Sequence, residues 1–573
     1  MIRRICLCVA FVSWGLAVAA PAATLAQDEG TIGSQPGSAP DPVVGGSLPE
    51  RPADYRMSPR EAIELADTDP KVITTSAERG RLRSYAEAKP PTTWQIGYYD
   101  GDEEVVQVLV DDPSRTIRES WTGYQVAWQM ARGYESQFGH LLNAPYVWIP
   151  LALLFFFGLF DFRRWRRMVH LDLLVLLSFG ISQLFFDRGD IGISVPLVYP
   201  PLIYLLCRML WIGFKGQRGG LNPSAPLTWL AITTMFLIGF RVALNIADSG
   251  VIDVGYAGVI GADKTTHGDP IYAEEGANFA EDNAFGDTYG PVNYYAYVPF
   301  ELAMPWDGEW DELPAAHGAA IFFDLATIVG LFFLGRHLGR APPDASEEQR
   351  TTARREGNGL GVILVFAWCA YPYTTYALQS NSNDSLVAAL IVWAFVAFAS
   401  PAGKGALLGL ASIAKFAPVV LAPLFAVGER GLVERFRRDG EGFGLGGVLL
   451  FTVAFLTTCV VVMLPTILDP GLSAFYDRTL EKQLNRESPF SIWGQEASLE
   501  WLQTVVRFGA VGLALLLAFV PRRRSPTHVA GLAAAVLIAS QLGVDHWFYL
   551  YIPWFFGVAM VGLTGPRQTS PGS

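Results

Sequence analysis

From Asn143 onward, apolar runs of about 20 residues alternate with polar connections, which is the length a hydrocarbon core requires of a helix. The runs predict membrane spans near 144–161, 169–186, 193–213, 226–247, 314–336, 358–378, 384–400, 444–468, 501–520, 527–544 and 547–564. Four connections are rich in arginine: "FRRWRR", "RHLGRAPPDASEEQRTTARRE", "ERGLVERFRR" and "PRRRSPTH". The positive-inside rule places all four in the cytoplasm.

One stretch, "GKGALLGLASIAKFAPVVLAPLFAVGERG", does not fit a single crossing. Taken as one span, residues 404–428 would put "ERGLVERFRR" outside and invert everything after it. Taken as two half-helices broken at Lys415 to Pro418, they keep the four basic connections on one side. Gly403 and Pro418 favour the break, and interrupted membrane helices mark a buried polar site or a cavity. In that topology the long connections 248–313 and 469–500, "QSNSND" around Asn383 and Asp384, and "VDHW" around His546 all meet at the outer face.

Ahead of the spans the pattern changes. "MIRRICLCVAFVSWGLAVAAPAATLAQ" has a basic start, an apolar centre and small residues before Gln27, the pattern of a signal peptide or anchor over residues 1–26. Residues 27–54, rich in Gly, Pro, Ser and Asp, read as a flexible linker. "SPREAIELADTDP" carries a Ser58 cap with Glu61 three residues on, which predicts a helix. "TWQIGYYDGDEEVVQVLVDD" alternates about an Asp-Gly turn and predicts a hairpin. With "SRTIRESWTG" following, residues 55–140 resemble the PepSY-like extracytoplasmic domains. The expected fold is therefore an all-α polytopic membrane protein of about 11–13 transmembrane helices over 141–565, with a small external α+β domain and a short tail, 566–573.

Composition sharpens this picture at three points. Of 42 basic residues only seven are lysines, so Lys415, the lysine inside an apolar stretch, stands out. Residues 248–313 hold fourteen Asp or Glu against the single Lys264, an acidity that argues against nucleic acid as a partner. The five cysteines show neither a disulfide framework nor a CxxC metal motif.

The polar face carries a family resemblance. "VIDVGYAGVIGADKTTHGDPIY" resembles the first external loop of the C-type integral membrane glycosyltransferases, where an Asp just past a helix end is followed by Tyr and a G-x-P-Y-like ending. "GLASIAKFAPVVLAPLF" is similar to a segment of the polyprenyl-phosphate-mannose-dependent members, and "VDHWFYLYIPWF" to their last helix. The resemblance spans about 225–565. It implies an inverting transferase using a polyprenyl-phosphate sugar of the mannose or arabinose class, with Asp253 as base.

Chemistry asks for the same set of groups. An acceptor hydroxyl needs a base, and a departing phosphate needs cationic donors. Asp253 lies a few residues past a span and just before "GYAG", a turn that would aim it inward; Asp248 is the rival. A charge such as Lys415 in an apolar stretch needs an anionic partner, either the donor phosphate or a structural carboxylate. Arg478 and Arg486, eight residues apart, would share a face on a continuous helix and could offer bidentate donors; both could equally be solvated. His546 is placed to bind phosphate or sugar, or serves structure at a helix end. Tyr256, Tyr289, Asn383, Asp384 and Trp493 are candidates for acceptor or sugar binding, with interfacial packing for the aromatics and helix capping for the Asn-Asp pair as the alternatives.

No nucleotide-binding loop or HExxH occurs and "DSGVID" is not a DxD, so neither a metal nor a cofactor is expected beyond the lipid-linked co-substrate. The expected partners are that membrane lipid donor and a glycan or glycolipid acceptor, in a cell-envelope setting at the plasma membrane. A lipid transporter or flippase, or a silent scaffold whose external domain meets a partner, is the competing reading.

Overall fold

The computed structural model describes residues 51–89, 91–101, 103–133, 138–217, 220–272, 286–308, 313–341, 344–432, 445–484 and 488–564. The expected signal, most of the linker, Arg486 and the tail lie outside them.

The N-terminal part folds as α1 (Pro59–Ala66), α2 (Pro70–Arg79) and an antiparallel sheet in the order β1 (Arg83–Lys89), β2 (Thr93–Asp100), β3 (Glu103–Asp111) and β4 (Thr116–Thr122). Ser58 and Glu61 form the reciprocal cap at the start of α1, satisfying two helix-end N–H groups. Gly101, with φ 64°, makes the hairpin turn between β2 and β3. Alternate residues Ile96, Val106, Val108 and Val110 meet Ala62 and Ala66 in a closed core. Buried Asp112 fastens the chain entering α1, accepting from Met57 N at 2.7 Å and Trp94 Nε1 at 3.2 Å.

Beyond it, among the described residues, six helices are long and apolar enough to cross a membrane: α4 (Met168–Phe186), α5 (Ile191–Lys215), α6 (Leu227–Ala247), α8 (Pro314–Leu338), α14 (Gly446–Leu468) and α15 (Ala497–Leu516). Shorter apolar helices are α3 (Pro145–Leu159), α11 (Asp384–Val396), α13 (Ala417–Val427), α16 (Pro526–Gln541) and α17 (Tyr549–Thr564). Between these lie α7 (Asp253–His267), α9 (Glu347–Ala370), α10 (Pro372–Gln379) and α12 (Pro401–Ala414). The chain is a helical multi-pass membrane protein with a small α+β domain.

Two departures from the sequence reading have physical causes. The span expected at 358–378 is bent by 60° between α9 and α10. Pro372 has no N–H for the carbonyl four residues back, and that carbonyl, on Trp368, accepts instead from Arg241 and Thr374. Arg241 is itself buried and ion-paired to Asp324 at 2.9 Å, with Trp368 Nε1 donating to the same oxygen at 2.8 Å. The second departure is that "GYAG" is helical, not a turn. Gly255, Gly258 and Gly261 form one stripe along α7, and a Cβ on Gly255 would stand 2.3 Å from Asn381 O. These glycines let α7 lie flush against its neighbours.

Residues 401–427 form a hairpin. α12 ends at Lys415, α13 turns back, and Gly428 returns to Lys404, whose Nζ lies 3.1 Å from where a Cβ on Gly428 would be. The basic connections gather at that same end. Arg524 N donates to Glu429 O and Gly431 N to Arg522 O, both at 2.9 Å. Gly339 packs on Gly357, Gly359 on Leu227, and Arg167 reaches Gly220 O at 3.0 Å. Single cysteines at Ser346 and Arg523, in a cysteine-free background, should therefore respond alike to an impermeant thiol reagent on intact cells. One at Thr266 should respond oppositely; identical labelling of all three would contradict the arrangement.

Candidate functional site

At the end away from the basic connections, residues 379–384 act as a frame. Gly250 N and Ile252 N donate to Gln379 O and Ser380 O, both at 3.2 Å. Asn381, with φ 50°, donates to Ser249 Oγ at 2.9 Å and Gly250 O at 3.0 Å, and accepts from Asn245 Nδ2 at 2.8 Å. This pairing delivers the chain to Ile252, after which α7 begins with Asp253. Asp253 Oδ1 accepts from Val254 N at 2.9 Å, and its first-turn position is one where the helix dipole stabilises negative charge.

The other side of the frame is Asp384, the first residue of α11. Its Oδ1 accepts from Lys415 Nζ at 2.6 Å and Trp554 Nε1 at 2.9 Å, and its Oδ2 from Ser382 Oγ at 2.7 Å. Lys415 is thrown clear of α12 by an extended backbone, φ −139° and ψ 135°, at the hairpin tip. Three rings surround its ammonium: Trp554 at 5.1 Å, Tyr551 at 5.6 Å and Tyr289 at 5.8 Å. Aromatic faces and a carboxylate together stabilise a cation that water reaches poorly.

Asp253, Tyr289, Asp384, Lys415 and His546 line one cavity of about 210 Å³, with Thr288, Gln483 and Phe548 among its other walls. His546 shares a hydrogen bond with Ser488 Oγ through Nδ1 at 2.9 Å. Beside the cavity, Arg478 Nε lies 2.5 Å from buried Asp287 Oδ2 and Lys482 Nζ 3.7 Å from Oδ1. The Arg478 contact is electrostatic, since neither Asp287 oxygen is aligned for a hydrogen bond. Lys264 joins the group, and burial pushes its ammonium below its ordinary value, opposed by Asp269 and Asp287.

Other expected residues stand elsewhere. Asp248 caps the end of α6 and its Oδ2 accepts from Leu141 N at 2.7 Å, outside the cavity wall. Tyr256 is buried and packs edge-on to Trp306. Asn383 makes no side-chain cap: its Nδ2 donates to Asn293 Oδ1 at 2.6 Å, and its Oδ1 accepts no hydrogen bond among the described residues. Trp493 donates to Leu542 O at 3.0 Å and packs on Tyr199, away from the cavity. The carboxylate partner of Lys415 is the structural one, Asp384. Sequence reasoning missed Trp554 and Tyr551, which sit in an ordinary apolar run, and Asp287, one acid among many.

Residues 288–544 match the model of Glycosyltransferase family 87. No curated protein matches the chain. The match supports glycosyltransferase activity, in keeping with the resemblance read from the external-face motifs. Tyr289, Asp384, Lys415 and Arg478 fall inside the glycosyltransferase-like span, whereas Asp253, His546 and the N-terminal domain fall outside it. For a glycosyltransferase the cavity offers a carboxylate and an ammonium in one chamber, a base for the attacking hydroxyl and a cation for the leaving group.

Proposed function

We propose that the protein is an inverting glycosyltransferase that moves a mannose- or arabinose-class sugar from a polyprenyl-phosphate donor to the hydroxyl of a cell-envelope glycan or glycolipid. The observation that carries this reading is that Asp253 and Lys415 line one cavity at the end opposite the basic connections. The positive-inside rule supports an outward-facing cavity, as this reading of a plasma-membrane enzyme needs.

Asp253 takes the proton of the acceptor hydroxyl as its oxygen attacks the anomeric carbon. The bond from that carbon to the phosphate oxygen breaks on the opposite face, and the electron pair leaves on the polyprenyl phosphate. Lys415 carries three N–H donors, so one on Asp384 leaves others for the departing phosphate. Arg478 and His546 stand at the margin to assist, and Tyr289 offers a ring face to the sugar. In this reading cationic side chains hold the phosphate, with no metal or cofactor.

The test is transfer by the purified protein with radiolabelled polyprenyl-phosphate mannose and, in parallel, the arabinose donor, using octyl mannoside as acceptor. The expected product has the opposite anomeric configuration to the donor. Movement of the labelled lipid between vesicle leaflets without transfer would favour the transporter reading instead.

A further inference from the structure

Residues 124–133 and 138–143 join the sheet to α3, and they reach the cavity. Met130 and Phe138 line it together with Asp253. The Trp128 ring lies 5.8 Å from His546 and edge-on to Phe490 at 5.4 Å.

This segment is fixed at both ends. Towards the sheet, Arg132 donates through Nη2 to Gln107 Oε1 at 2.7 Å and Val126 O at 3.1 Å, and through Nε to Gln125 O at 2.8 Å. Its guanidinium lies over the Trp121 ring of β4 at 5.6 Å. Gln125 in turn ties the segment to Gly189 O at 3.2 Å. Towards the membrane, Leu141 N holds Asp248, and Phe138 packs so closely on Gly250 that a Cβ there would stand 3.1 Å from Phe138 Cβ. Phe138 also lies 4.7 Å from the Tyr376 ring of α10. Whatever fixes Asp248 and Gly250 fixes the stretch that ends in Asp253.

We infer that this segment is the acceptor-facing wall of the transfer site, and that Arg132 is a positioning residue through which the N-terminal domain governs acceptor recognition. The inference rests on the glycosyl-transfer reading above. The donor phosphate belongs at Lys415, whereas an acceptor hydroxyl must approach Asp253 to lose its proton. The acceptor body then meets Met130 and Phe138. A thioether and a phenyl ring suit the C–H face of a sugar or the start of an alkyl aglycone, so the acceptor class is a glycolipid or alkyl glycoside with such a face. Deleting residues 55–135 would therefore remove Met130 from the cavity wall and Trp128 from its place beside His546.

Two-substrate kinetics on the full chain in detergent, with polyprenyl-phosphate mannose and octyl mannoside as probes, test this. Phe138→Ala and Arg132→Ala should each raise the acceptor KM about tenfold, equivalent to about 1.4 kcal/mol, while the donor KM stays within about twofold. Arg132 lines no part of the cavity, so its effect is decisive. An unchanged acceptor KM in folded Arg132→Ala, or a matching rise in donor KM, would overturn the inference while leaving transfer itself intact. Gln107→Leu cuts the same link from the sheet and replaces Arg132→Ala if that variant does not fold. Absence of transfer by the parent protein would instead sink the functional reading and this inference with it.

Discussion

Asp253→Asn should bind the lipid donor as the parent does and transfer sugar roughly 100- to 10,000-fold more slowly, the loss typical of a removed general base. The substitution keeps the size of the side chain and the local geometry at the helix start. The Asn carbonyl can still accept from Val254 N, so the start of α7 and its packing on Asn381 are kept. Asp248→Asn is the control, since its carbonyl can likewise keep the bond from Leu141 N while the residue lies off the cavity wall. A donor-binding titration paired with a transfer assay separates the cases. If Asp248→Asn is the variant that loses turnover, the base has been assigned to the wrong carboxylate; if neither does, the acid-base mechanism falls.

Lys415→Met should fail in a different way, by losing stability and donor binding together. The change strands Asp384, whose side chain is 1% exposed, with only the neutral donors of Trp554 and Ser382 among the described residues. Removing one partner of a buried ion pair costs about 3–5 kcal/mol, chiefly because the other charge is left uncompensated. Adding Asp384→Asn removes that stranded charge. The double variant should therefore recover most of the thermal stability in detergent, yet still bind polyprenyl phosphate poorly. A single variant as stable as the parent would show that the pair contributes nothing to the fold. A double variant that binds donor normally would remove Lys415 from the phosphate site.

The spans were legible because hydrocarbon imposes its requirement residue by residue, whatever the neighbours are. The same holds for the Ser58 cap and the Asp-Gly hairpin, whose partners lie within a few positions. What escaped were meanings that depend on distant partners. The glycines of "GYAG" are compatible with a turn or with close helix packing, and only the proximity of Asn381 and Tyr297 decides for packing. Asp384 at a helix start looks like a local electrostatic device, but its principal partner is 31 residues away. Asn381, read only as part of a polar run, sets the left-handed turn that holds both acids. Lys415 was visible because a lysine is conspicuous among apolar residues, whereas Trp554 and Tyr551 beside it were not.

The hairpin of α12 and α13 has a mechanical consequence. Lys415 rides at its tip, while both of its feet stand among the arginine-rich connections at the far end. Asp253 hangs from the opposite rim. In the proposed mechanism the base and the phosphate-holding ammonium are thus anchored at opposite ends of the bundle, and each half of the hairpin, 14 and 11 residues, is a strut of roughly 20 Å or less at 1.5 Å per residue. If the proposed mechanism holds, the gap between acid and ammonium is set by how far the hairpin reaches through the bundle, so a change in the length of either strut should act on the spacing that transfer needs.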